Sequence, residues 1–580
     1  MAAVTAANAA LLGPPIAGAR RSARQLSSSG DPCLDFFFQI VPGATPSTRV
    51  RELLADAWFR DPGTALKLVC HLRAVRGHGK ADRDGFYAAA LWMHEHHPRT
   101  LAANIAAFAN FGCLKDLPEI LYRVVHGPRD ERKEEDDQAE EDPRRRRRFK
   151  RRCIDHDEAK RARQEKEAQL AQTVLSRYDS DGSFRLLYDR VADTFADLLK
   201  SDVEHMRAGE NAKIGLAAKW CPSLRSSYDR ATLLCEAIAR RIFPRESSQE
   251  YMNISDKHYA YRVRDRLRRE VLVPLRKALE LPEVYMTACR WEQLRYARVA
   301  SLAMRQYKGA FEKHDRSGVD GFLDEVRTGH ARVPVDAAMP HELVAAALKG
   351  EQDESAELQW RRMVSTLAAG GRLSNCIAVC GLSSGGDVAK PPGAAAIALG
   401  LLISELSQDP WKGRVITFDT TQQLHQVCGT TLVEKLRSLA KLRAHKSRLD
   451  LPAVFDRILT VAIAGGLPKD MMVRRVFVLS DMELDDGGCG GAWRSQDELN
   501  AIRSKFEANG FSAPEVVFWN VGAPASSTPV VAAQENAAMV SGYSKNLVRL
   551  FLEWDGKLTP AAVMADAISG TEYDSLLVVD

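Results

Sequence analysis

The sequence predicts an α-helical, HEAT/solenoid-like module followed by a doubly wound, mostly parallel, Rossmann-like α/β domain. Three observations carry this expectation. In the first half, apolar residues recur at three- and four-residue steps in one segment after another. In the second half, short apolar runs alternate with helix-length stretches, the pattern of βα units. At the junction, Ser374-Asn-Cys-Ile-Ala-Val-Cys-Gly-Leu-Ser-Ser-Gly-Gly386 sets an apolar run, Cys376 to Cys380, against a small flexible loop. An Ala/Leu-rich segment, Gly393 to Leu406, follows Pro391 and Pro392. That order reads as buried strand, loop and helix, the opening unit of a parallel sheet.

With 580 residues the chain exceeds one core, so two or three domains are expected. Its 45% hydrophobic and 27% charged content is that of a globular protein. No stretch approaches the roughly 18 uninterrupted apolar residues of a membrane span. The cysteines number eleven and form no CxxC pair, which argues for a reducing compartment and against a disulfide framework or a zinc site. Residues 366–580 hold 20 Lys and Arg against 23 Asp and Glu, a net of −3, within a chain of net +5. The first 365 residues therefore carry +8, which places any nucleic-acid contact there; an excess of that size is also ordinary for a chain of this length.

In chain order, residues 1–30 are rich in Ala, Ser, Arg, Gly and Pro, and no acid appears before Asp31. This composition fits a disordered N-terminus or an organellar transit peptide, and the lack of a clear amphipathic face favours the first. Residues 31–128 form the first part of the helical module, with helices expected at 49–58, 62–73, 84–97 and 101–108. Between two of them, Arg73-Ala-Val-Arg-Gly-His-Gly-Lys-Ala-Asp-Arg83 combines two close-approach glycines with Arg73, Arg76, Lys80 and Arg83, which would neutralise phosphates. The competing reading is a solvated basic loop. Residues 129–167 are almost entirely charged and cannot bury a core of their own, although their second half suits an exposed helix. The basic nonamer in it, with Arg144, Arg145, Arg146, Arg147, Arg148, Lys150, Arg151 and Arg152 around Phe149, matches a nuclear-localisation or nucleic-acid patch, or is neutralised by the neighbouring acids.

The helical module resumes over 168–365, with helices expected at 184–199, 226–242, 258–273, 299–313, 341–348 and 359–367. Trp220, before the Cys221-Pro222 turn, reads as a core anchor, because no His is placed to make Cys221 a nucleophile. Residues 366–580 form the α/β domain, with strands at 375–380, 414–419, 423–427, 474–480 and 515–521. Helices are expected near 393–407, 430–443, 452–465, 495–508 and 559–568, and a hairpin at Asp419-Thr-Thr-Gln422. In such a sheet ligands sit at the carboxyl ends of the strands, where Ser383, Ser384 and Asp481 would converge.

Several stretches together resemble an uncharacterised plant and viral family that joins a Ro-like (TROVE) helical module to a von Willebrand factor A (vWA) domain. They include Arg76-Gly-His-Gly-Lys-Ala-Asp-Arg83, Lys219-Trp-Cys-Pro222, Ser227-Tyr-Asp-Arg230, Cys376-Ile-Ala-Val-Cys380, Val478-Leu-Ser-Asp-Met-Glu-Leu-Asp485, Pro514-Glu-Val-Val-Phe-Trp-Asn520 and Val540-Ser-Gly-Tyr-Ser-Lys-Asn546. The resemblance covers residues 31–580 apart from the charged insert. It implies a vWA metal site built from Asp-x-Ser-x-Ser, a Thr and a later Asp, whose oxygens suit a hard cation. Laid on that pattern, this chain has Gly381 for the Asp, keeps Ser383, has Gly385 for the second Ser and Leu449 for the Thr, and keeps Asp481. The site is degenerate, so no divalent cation is expected as a cofactor.

The resulting expectation is a non-enzymatic binding scaffold whose partner is RNA, favoured by the Ro-like resemblance, or protein. The alternative is metal-dependent protein-ligand binding through the vWA-like domain. An enzyme is not expected: Leu382-Ser-Ser-Gly-Gly386 is neither a nucleophile elbow nor a phosphate loop with its Lys. The expected location is the cytoplasm, or the nucleus if the basic nonamer directs import.

Overall fold

The structure, a computed structural model, describes residues 28–128, 156–335, 338–348, 354–381, 391–417, 423–440, 450–482, 496–522, 528–552, 554 and 556–580. Local signals set the first helices. Asp31 accepts the Cys33 amide at 2.9 Å to start α1 (Pro32–Gln39), whose Phe36, Phe37 and Phe38 are all buried. After α2 (Ser47–Arg60), Asp61 caps α3 (Pro62–Arg73) through the Thr64 amide, with proline at the first helical position. Next come α4 (Arg83–His96), α5 (Pro98–Ala103), α6 (Ile105–Phe111) and α7 (Asp116–His126). The helix expected at 101–108 is divided at Asn104, whose side-chain amide donates to the Thr100 carbonyl at 2.7 Å and to Leu577 O far along the chain.

The charged stretch becomes helical at its end: α8 spans His156–Ser180, and the residues from Lys160 to Gln169 are largely exposed. The central strut is α9 (Gly182–Arg207), about 39 Å long at about 1.5 Å per residue. Its buried stripe of Phe184, Leu187, Tyr188, Val191, Phe195 and Leu199 packs against α5, α6, α7 and α8. The expected helix at 226–242 is two, α10 (Ser227–Thr232) and α11 (Leu234–Ile242), because Leu233 adopts a left-handed φ of 57°. Buried Asp229 holds that break, accepting the Arg225 amide at 2.7 Å and the Cys235 amide at 3.1 Å. α12 (Asp256–Arg266) widens into a π-helical turn over Leu267–Leu272. The segment expected at 299–313 is likewise two short helices, Ser301–Gln306 and Lys308–His314.

After α13 (Pro340–Leu348) and α14 (Glu354–Ala368), strands β1 (Cys376–Cys380), β2 (Arg414–Thr417), β3 (Leu424–Gln426), β4 (Arg475–Ser480), β5 (Glu515–Asn520) and β6 (Ala537–Ser541) form one sheet in the order β3-β2-β1-β4-β5-β6. All neighbours are parallel except β2 and β3. The pairing expected of a hairpin is present, while its turn at 419–422 lies outside the described residues. The intervening helices are α15 (Pro391–Leu406), α16 (Leu432–Ala440), α17 (Leu451–Ala464), α18 (Gln496–Ala508) and α19 (Pro560–Ala567). Strand β6 was not among the expected strands. Its sequence, Ala-Ala-Met-Val-Ser, has a single β-branched residue and no alternation. Pairing with β5 and full burial define it instead.

An edge strand exposes unpaired backbone unless something covers it. Here α1 from the first half and α19 pack on β6, and Ala532 N donates to Ser29 O at 3.1 Å beside it. The two halves consequently share a single hydrophobic cluster that runs from Cys33 to Tyr573. A separate small cluster, built on Tyr296, Phe311 and Phe322, serves residues 296–323.

Candidate functional site

The strand order reverses between β1 and β4, so the carboxyl ends of these strands flank the position where open α/β sheets bind ligands. Gly381 follows β1 and donates its amide to Leu479 O at 3.2 Å, extending the ladder. Asp481 follows β4 and is 6% exposed. Its Oδ1 accepts the Ser480 hydroxyl at 3.2 Å, and that hydroxyl accepts the amide of left-handed Met482 at 3.1 Å. Just past β5, Gly522 presses on this turn: a Cβ there would lie 2.2 Å from the Asp481 Cβ and 2.3 Å from its Cα. Ser383, Gly385 and Leu449, together with Ser384, lie outside the described residues. Among the described residues no group of three or more His, Cys, Asp or Glu is placed to hold a metal. Gly381 offers no side-chain oxygen, so the described part of the site supplies a single carboxylate to a cation that wants about six oxygens.

The glycine-containing basic loop requires a correction. Of its four cations, Lys80 is fully buried and Arg73 is 8% exposed. Arg73 holds Asp116 through Nε at 2.8 Å, and the same carboxylate accepts the Tyr87 hydroxyl at 2.7 Å and the Cys113 amide at 3.0 Å. Lys80 donates to Phe37 O, to Ile40 O at 3.1 Å and to Ser541 Oγ at 2.7 Å. Burial pushes its ammonium down to about 7, with Asp82 opposing. Arg76 and Arg83 are exposed, but Arg76 leans on Asn110 O at 3.4 Å and Arg83 on Asp84 at 3.5 Å. The four side chains therefore do not form one phosphate-facing patch.

The loop instead joins the halves. Lys545, just after β6, reaches Ala338 O at 2.9 Å, and Asn546 reaches Val75 O at 3.0 Å. Nothing in the sequence of either stretch, Arg76–Arg83 or Ser541–Asn546, indicates that they meet. Cys221, Cys376 and Cys380 fit a core role, burial pushing their thiols up to about 12, whereas Cys289 and Cys428 are exposed. The Cys221 turn is fastened by Arg276, which donates to Ala218 O at 2.8 Å, Cys221 O at 3.0 Å and Ser223 Oγ at 2.8 Å; Trp220 is half-buried against the core.

The basic nonamer, Arg144 to Arg152, lies outside the described residues. A different basic face was missed. Residues 256–277 hold eight Lys and Arg against three Asp and Glu, a net of +5. On α12 and the π-helical turn, Lys257, His258, Tyr261, Arg262, Arg268 and Arg269 are exposed, Tyr261 to 66%. The buried residues between them, Tyr259, Val263 and Leu267, anchor the opposite face. Arg262 reaches Glu250 at 3.6 Å and Arg269 pairs with Asp265 across one turn, both at the surface. The signal in the sequence was the spacing of His258, Tyr261, Arg262 and Arg269 on one helical face, an aromatic among cations.

Comparison with known proteins adds little chemistry. No solved structure matches the chain. The uncharacterized protein L728 of Acanthamoeba polyphaga mimivirus is 25% identical over 558 residues, covering 91% of this chain and 82% of its own. A family model described as a domain of unknown function, DUF7788, matches residues 375–573, which contain the whole sheet. Residues 20–373, more than half of the chain and nearly all of its helical part, match a second domain of unknown function, DUF2828, and the protein belongs to that family.

Proposed function

We propose that this protein is a non-enzymatic scaffold whose helical half, a TROVE-like module, binds RNA through the face formed by α12 and the π-helical turn after it. The observation that carries this reading is the exposed Tyr261 flanked by His258, Arg262, Arg268 and Arg269. Arginines neutralise phosphates, and an exposed ring stacks on an unpaired base of any sequence, which suits single-stranded RNA. π-helical turns concentrate at functional positions, and this one carries Arg268 and Arg269 of the face. The sheet, with its β3-β2-β1-β4-β5-β6 order and antiparallel β3, supports reading the second half as vWA-like with a structural role. On this reading Asp481 stabilises the turn after β4 rather than a cation, and no cofactor takes part.

The test is fluorescence anisotropy of a labelled 20-nucleotide RNA of mixed sequence with the full chain. Affinity should fall with salt by about 0.7 log units per log unit of salt for each phosphate contact. Arg268→Glu with Arg269→Glu should weaken binding at least tenfold, and Tyr261→Ala by roughly 1–3 kcal/mol of stacking. Binding unaffected by these changes, or absent at low salt, would reject the assignment. An RNA-independent protein partner lost on the same substitutions would instead make this a protein-binding face.

A further inference from the structure

The segment Leu577–Asp580 lies across α5 and the turn after it, outside any helix or strand. Asn104 reads the backbone of Leu577 in both directions, donating from Nδ2 to its carbonyl at 2.7 Å and accepting its amide on Oδ1 at 2.9 Å. Thr100 uses its whole hydroxyl: Oγ1 accepts the amides of Val579 at 2.9 Å and Asp580 at 3.1 Å, and donates to Asp580 Oδ1 at 2.6 Å. The Asp580 carboxylate also accepts the Thr100 amide at 2.9 Å and the Arg99 amide at 2.9 Å. His97 places Nδ1 3.0 Å from the Asp580 main-chain oxygen, its ring stacked on Trp58 at 4.4 Å.

Two features set this apart from ordinary packing. The reading groups lie beneath the segment, where Thr100 and Asn104 are 0% and 1% exposed, and Asn104 is also held by its own donation to the Thr100 carbonyl at 2.7 Å. What they hold, however, is barely buried: Leu577, Val578 and Val579 are 59%, 45% and 45% exposed. The segment is thus retained by its backbone and one carboxylate, with its apolar side chains turned to water. Any extended segment with an Asp three residues after the position paired to Asn104 meets the same donors and acceptors. We propose that His97, Thr100 and Asn104 form a docking site for extended acidic peptides of this kind, and that Leu577–Asp580 is its exchangeable occupant in cis.

A chain lacking residues 577–580 should bind a fluorescein-labelled Ser-Leu-Leu-Val-Val-Asp peptide, amidated so that only the Asp side chain supplies a carboxylate. The full chain should bind it at least tenfold more weakly, because the cis segment competes at an effective concentration on the order of millimolar. Replacing the peptide Asp by Asn should weaken binding at least tenfold. No binding to a shortened chain that melts like the full one, or equal binding of the Asn peptide, overturns the proposal. Amide exchange in the full chain gives a second reading that does not need the deletion. Excess peptide should speed exchange at Leu577, Val579 and Asp580 and leave Ala565 in α19 unchanged. Peptide that leaves the three amides unaffected, or amides that exchange as in an unfolded chain without it, rejects the proposal.

Discussion

Replacing Lys80 by Met removes the ammonium that bridges α1 and β6 while keeping an unbranched side chain of similar length. The effect follows from where that ammonium titrates. In the unfolded chain a lysine holds its proton up to about 10.4, whereas burial pushes Lys80 down to about 7 in the folded protein. Between those values the unfolded chain binds more protons than the folded one, so stability rises with pH. The penalty of charging the buried group is complete below about pH 7 and fades as pH climbs toward 10.4. Integrated from pH 7 to 9, the wild type should gain about 2 kcal/mol that Lys80→Met does not. His71 beside it is pushed down to about 3 by burial and does not titrate in this window. Other groups titrate alike in both proteins and cancel in the difference. Urea unfolding followed by tryptophan fluorescence at pH 7, 8 and 9 measures it. Parallel pH profiles for the two proteins would refute the reasoning: the carbonyls of Phe37 and Ile40 and the Ser541 hydroxyl would then offset burial and keep Lys80 charged.

Two further substitutions test the assignments made above. Asp116→Ala strands the buried guanidinium of Arg73 and the Tyr87 hydroxyl, and should cost about 3–5 kcal/mol in the same unfolding assay. Asp481→Ala should cost about 1–3 kcal/mol through its lost hydrogen bonding, and calorimetric titration of Mn²⁺ into the wild-type chain should show no site-specific binding that this substitution abolishes.

Much of the architecture was legible because it is local. Helix and strand periods, the Asp61-Pro62 start of α3 and the proline-led start of α15 are set by neighbours in the chain, and those elements lie within a few residues of expectation. The breaks at Asn104 and Leu233 were not legible, since both depend on a distant or folded-back partner: Asn104 bonds Leu577, and Asp229 caps the amides on both sides of Leu233. Strand β6 escaped for the same reason, being defined by its pairing with β5 and the cover of α1 rather than by its own propensity.

The sites divide along the same line. The sequence alone determined which groups exist, and so the loss of an oxygen at Gly381, the retention of Asp481 and the cationic character of residues 73–83. It could not determine which of those cations face water. Exposure is a property of packing between segments 40 to 461 residues apart, and in the folded chain Ser541 and the carbonyls of Phe37 and Ile40 claim Lys80, while Asp116 claims Arg73. Tertiary structure withdrew those two charges from any partner and left Tyr261 with its arginines at the surface, because their buried neighbours Tyr259, Val263 and Leu267 turn the opposite face of that helix to the core.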